Sequence, residues 1–185
     1  MTKAKQTITI AVLTLFFSVS GFFYWKDQQS INKLNASLPE EIMIQKRLLG
    51  YKILDKIENY SFNVPIKWRG IKEIKYLTER ESNGYKFSSI NVKGAASKDN
   101  VIAVVRFENK PNMDLISQAK LFFKSFNLEN DFTQEKVKNI DVAIARDNHG
   151  LMGIDAYFFQ KGNYTYLITN GSEDFIKEVI TNGTW

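Results

Sequence analysis

From Thr7 to Trp25 the chain runs 19 residues without a charge, TITIAVLTLFFSVSGFFYW. At about 1.5 Å rise per residue, a helix of this length covers roughly 28 Å, near the thickness of a bilayer hydrocarbon core, so the pattern predicts a transmembrane helix over 7–25. Lys3, Lys5 and the amino terminus precede it with no acid. The positive-inside tendency then leaves 1–6 in the cytoplasm and the domain on the far side, with Phe22, Phe23, Tyr24 and Trp25 suited to the interface. A cleaved signal is the competing reading, since Ser18-Val19-Ser20 is a small-x-small triplet; it would leave GFFYW as an exposed start, and the protein would be secreted. A buried core helix is the third.

Beyond Trp25 the pattern becomes polar and rich in Asn and Gln over 26–37. It reads as a juxtamembrane linker or a helical extension of the anchor. Ser37 and Glu40 have capping-box spacing, Pro39 suits a first turn, and Ile42, Ile44, Leu48 and Leu49 follow before Gly50. These features predict a short helix over 38–49.

From Tyr51 onward the texture is that of strands. Tyr60, Phe62 and Val64 alternate with Ser61 and Asn63, and Pro65 ends the run. Ile71 to Arg80 and Tyr85 to Val92 flank Asn83-Gly84, a strong hairpin dipeptide. VIAVVRF at 101–107 is nearly all apolar and predicts a central strand buried on both faces. After Pro111, with Asn112 as expected cap, the residues Leu115, Ala119, Phe122 and Phe126 form one apolar stripe at helical period, predicting a helix over 113–126. Strands follow over 133–140, 142–146, 152–160 and 164–170. Ser172, Glu173 and Asp174 then open a closing helix over 172–181. The expected organisation is a cytoplasmic 1–6, an anchor 7–25, a linker and short helix 26–50, and a folded domain 51–185. Its class is α+β: an N-terminal transmembrane helix followed by one antiparallel sheet flanked by helices.

Composition narrows the chemistry. Two of the 25 basic residues precede the apolar stretch, leaving 23 against 20 acidic ones. That surplus is mild and forms no basic block, so no nucleic-acid partner is expected. There are no cysteines, which excludes disulfides, thiolate nucleophiles and thiolate metal sites. His149 is the only histidine, a thin basis for a zinc site or a catalytic triad. Asp147-Asn148-His149-Gly150 with Asp155 is the one cluster bearing metal-type or acid/base residues. Its spacing fits no calcium or zinc motif and is ordinary turn chemistry. Glu79 and Glu81 lie two apart on one strand face and read as solvated charge. No Gly-rich phosphate loop or G-x-S-x-G is present. No cofactor, metal ligand or catalytic residue is therefore assigned.

The segment Tyr60-Ser-Phe-Asn-Val-Pro-Ile-Lys-Trp68 resembles the opening of PsbP-like domains, which share the Mog1/PsbP-like α/β/α sandwich. The apolar strand and helix at Val101–Phe126, the Tyr-x-Ile-Thr at Tyr166–Thr169 and the closing helix at Ser172–Ile180 fall in the same order, so the resemblance covers 51–185. It implies an antiparallel sheet with helices on both faces. Photosystem members are lumenal subunits supporting the oxygen-evolving centre, and Mog1 binds a small GTPase in the nucleus. The apparent anchor, and the lack of an Arg- and Ser-rich transit peptide, depart from these. What carries over is a non-enzymatic domain that binds a partner, often at a membrane; no site residues carry over.

The resulting expectation is a single-pass, membrane-anchored, extracytoplasmic binding or assembly module with a protein partner. The alternatives are a subunit of an envelope machine of the pilus-assembly type and a small extracytoplasmic hydrolase using carboxylates near His149. A binding module requires an exposed apolar or aromatic patch of more than a few hundred Å². A hydrolase requires a pocket with at least two convergent polar groups.

Overall fold

The computed structural model describes residues 22–97, 100–146 and 154–185, with the side chains of Ile66, Thr78 and Glu79 outside that description. Helix α1 covers 22–37. Three strands follow, β1 (Ile42–Arg47), β2 (Gly50–Asp55) and β3 (Tyr60–Pro65), and pair in that order as a small antiparallel sheet. A 3-10 turn at Ile66–Trp68 leads to β4 (Ile71–Ser82), β5 (Tyr85–Gly94) and β6 (Val101–Glu108). Helix α2 (Leu115–Ser125), strands β7 (Phe132–Val137), β8 (Ile140–Ala145), β9 (Ala156–Lys161) and β10 (Tyr164–Thr169), and helix α3 (Glu173–Asn182) complete the chain. The large sheet has the antiparallel order β4-β5-β6-β10-β9-β8-β7.

Alternation along these strands builds two cores. Ile53, Phe62 and Val64 on the small sheet meet Ile90, Val104, Ile168 and Phe159 on one face of the large sheet, with Ile176 and Ile180 of α3 joining them. On the opposite face Phe122 and Phe123 of α2 pack on Phe107 and Phe158. The Phe107 and Phe122 rings stack with centroids 4.3 Å apart. As a result β6 is buried on both sides, as its apolar run predicts. Trp185 lies between the layers, 5.0 Å from both Phe159 and Tyr166 by ring centroids. Asn83 and Gly84 both have positive φ, at 53° and 77°, the backbone that a tight hairpin turn demands.

Several expectations need correction. The transmembrane helix at 7–25 is not found: residues 7–21, with Ser18-Val19-Ser20, lie outside the described residues, and among the described residues no helix is long and apolar enough to cross a membrane. Among the described residues, helix α1 holds Phe22–Trp25 of the apolar run and continues through Lys26, Asp27, Gln28, Gln29, Asn32 and Lys33, too polar for hydrocarbon. The single-pass arrangement, the membrane as partner through 7–25, the cytoplasmic N-terminus and the extracytoplasmic domain all rested on that helix and fall with it. The fold class changes too: the described residues are mostly β, in two antiparallel sheets with three helices, in place of an anchor followed by one sheet.

The helix expected over 38–49 is strand β1 and its turn. Ile42 and Ile44 are buried and alternate with half-buried Met43 and Gln45, a period of two that outweighs the capping signal. Ser37 Oγ donates to Leu34 O at 2.7 Å, so it closes α1 instead of opening a new helix. The expected strand over 133–140 ends at Val137, where Lys138 turns with φ 55°. The cap of α2 is Asp114, which accepts from Ser117 N at 2.8 Å; Asn112 sits in the preceding turn with φ 58°.

Candidate functional site

The sequence-flagged cluster is only partly visible. Asp147, Asn148, His149 and Gly150 lie outside the described residues. Asp155 is placed, and its carboxylate meets Arg146 at 3.2 Å. Arg146 also pairs with Glu135 at 3.1 Å and Glu173 at 3.0 Å, and Lys177 bridges the same two glutamates. Hydrogen bonds from Arg146 and then Lys177 hold the Glu173 carboxyl at about 2. This exposed lattice ties β7, β8 and α3 together, and ion pairs of this kind contribute little each. The side chain of Glu79 is not described, and Glu81 is exposed opposite Lys86. Among the described residues no group of three or more His, Asp or Glu is arranged to hold a metal.

Two other features stand out, at opposite ends of the small sheet. At the β1–β2 end lies an apolar surface. The turn between Arg47 and Gly50 is Leu48-Leu49, exposed to 90% and 80%. A turn normally carries polar residues or glycine, so two leucines here have no role in the core. Phe22, Phe23, Tyr24 and Trp25, the first described residues of α1, are also more than half exposed. Phe23, Tyr24, Arg47 and Leu48 line one groove of about 560 Å³.

Two contacts hold α1 to the small sheet and so fix this surface. Asp27, Ile31, Leu34 and Asn35 fall on one helix face by their spacing. Asp27 pairs with Lys46 on β1 and accepts from the Tyr51 hydroxyl at 3.0 Å. Asn35 bonds both Ile44 N (2.8 Å) and Ile44 O (2.9 Å) on the free edge of β1, imitating a further strand. Buried Ile31 packs between these anchors. The remaining rim is basic: Lys26 and Arg69 line the adjoining groove, and Arg47 stands beside Leu48. Glu178 of α3 is the acid on the Leu49 side.

At the β2–β3 end lies a polar cleft. Arg106 interrupts the apolar alternation of β6 and points to the same face as Val104. It pairs with Glu58 from the β2–β3 turn. The Tyr164 ring covers the guanidinium, with Cζ 3.4 Å from the centroid. Ser88, opposite Arg106 in the β5–β6 register, Lys86 and Glu108 complete a cavity of about 210 Å³. Nearby Asp55 ends the buried face of β2, 2% exposed, and accepts from Glu58 N at 2.9 Å. Burial raises its carboxyl to about 6, against the opposing pull of Tyr76, a backbone N–H and Arg106. Burial and the Asp55 charge push Tyr76 in turn to about 12. The cleft does gather convergent polar groups, as a hydrolase would need. Its serine, however, faces a guanidinium, which accepts no proton and cannot act as a base, and Glu58 is neutralised by Arg106.

Arg106 and Asp55 were not singled out from the sequence, although each left a trace. Arg106 is the lone charge in VIAVVRF, and Asp55 occupies the inward position two after Ile53. A charge at a core-facing register position is a functional signal that composition averages away. No known protein family, characterised protein or solved structure matches the chain.

Proposed function

We propose that the protein is a non-enzymatic binding module of PsbP-like type, and that it docks a partner protein on the surface formed by Leu48, Leu49 and the aromatics Phe22–Trp25. The observation that carries this reading is the pair of leucines exposed to 90% and 80% at a two-residue turn. They contribute nothing to either core, and exposed leucine beside clustered aromatics is the composition of an interface centre. A seven-stranded antiparallel sheet with α2 on one face and α3 on the other supports the PsbP-like part.

The charge around the patch selects the occupant. Lys26, Arg47 and Arg69 surround it and outnumber Glu178 on the Leu49 side, and Asp27 is already engaged by Lys46. A second copy of the chain would set like charges against one another, whereas a partner with an apolar centre and an acidic rim is complementary. The test is co-purification of the full chain against a Leu48→Asp, Leu49→Asp double variant. A stoichiometric partner is expected with the parent chain, weakened by salt and lost from the folded double variant. A partner that both bind equally, or self-association through these leucines, overturns the reading.

A further inference from the structure

The cleft around Arg106 does not depend on the docking surface; the two are separated by the six residues of β2, about 20 Å of strand. Three observations bear on what it holds. First, Arg106 Nε and Ser88 Oγ are buried and have no hydrogen-bond partner among the described residues, with residue exposures of 9% and 2%. Both are donors, and leaving a buried donor unmet is costly. They face each other across the β5–β6 pairing, so one acceptor group placed between them can serve both. Second, the lining charges cancel: Arg106 and Lys86 stand against Glu58 and Glu108. A simple anion or a simple cation gains nothing from such a lining, while a molecule carrying both signs gains at each end. Third, the cavity of about 210 Å³ has room for about seven waters at ~30 Å³ each, and therefore for a ligand of about as many heavy atoms.

We propose that this cleft binds a small free α-amino acid as its zwitterion. The ligand carboxylate accepts from Arg106 Nε and Ser88 Oγ, and its ammonium lies against Glu58 and Glu108. Tyr164, stacked on the guanidinium, holds the plane of the Arg106 fork. Glu58 keeps the other edge of the guanidinium occupied, so the carboxylate is taken by Nε and the serine in place of the usual bidentate fork.

Calorimetric titration of the full-length protein with glycine, L-alanine and L-serine tests this, with L-lactate and ethanolamine as single-charge controls. Saturable binding of at least one amino acid is expected, with neither control binding. Ser88→Ala, which removes one donor and leaves the ion pair intact, should weaken it by about tenfold, equivalent to ~1.4 kcal/mol. Arg106→Gln should abolish it; since that variant also strips Glu58 of its partner, the Ser88→Ala result decides if it misfolds. No binding of any amino acid, binding of lactate as tight as that of L-alanine, or unchanged affinity in Ser88→Ala each overturns the proposal.

Discussion

Asp55 is placed to make stability depend on pH in an unusual direction. Burial raises its carboxyl to about 6, whereas an unfolded aspartate titrates near 3.9. Between about pH 4 and 6 the folded state therefore binds more protons than the unfolded one, and stability falls as pH rises through that window. Above about 6 both states are ionised and this contribution is flat. Glu173 acts with the opposite sign at more acid pH, because Arg146 and Lys177 hold its carboxyl at about 2. Asp55→Asn keeps an acceptor for Glu58 N and removes the charge. The variant should gain stability relative to the parent as pH rises from about 4 to 6, with the difference constant above. Urea unfolding of the pair across that range checks it; parallel pH profiles would contradict it. Little of this is readable from the chain, since a carboxylate shifts only when tertiary packing removes its water. The period-two pattern does place Asp55 inward, after Tyr51 and Ile53, but which layer covers it is a long-range fact.

At the scale of elements, the edge of β1 depends on one side chain. Asn35 supplies a donor and an acceptor to Ile44, where a neighbouring strand would otherwise sit, so the edge is blunted by α1. Asn35→Ala should cost about 1–2 kcal/mol, the net worth of two hydrogen bonds, and should loosen α1 without disturbing α2. Urea unfolding with amide exchange on the two helices measures both, and equal loosening of α2 would contradict it. The elements that the pattern located well are those with a local cause: α2 with its aromatic stripe, the Asn83-Gly84 hairpin and the apolar run of β6. The helix expected over 38–49 failed because it rested on the Ser37 and Glu40 capping signal, whereas Ile42 and Ile44, two apart, have the period of a strand, and pairing with β2 settled it. The chain holds no local signal for the Arg47–Gly50 pairing that leaves Leu48 and Leu49 at a turn. An exposed apolar patch was expected of a binding module, but no residues were assigned to it. The Arg106 cleft was not expected at all, because it joins the β2–β3 turn to β5, β6 and β10.

Taken as a whole, the molecule sets two cores on either side of one large sheet, and the small sheet carries a surface at each end. The apolar end, with Leu48, Leu49 and Phe22–Trp25, makes the protein a docking module in our reading; the polar end offers a small-ligand site. Interface energy concentrates in a few central apolar and aromatic anchors, so a probe placed at the turn reports directly on the partner. The decisive measurement is site-specific photo-crosslinking of the full chain in its native cells, with the photoreactive residue at Leu48 and, for comparison, at exposed Lys124 on α2. One discrete heterologous adduct from position 48, absent from position 124 and abolished by Leu49→Asp, is the predicted result. No adduct from position 48, an adduct with a second copy of the chain, or equal labelling from both positions would contradict it.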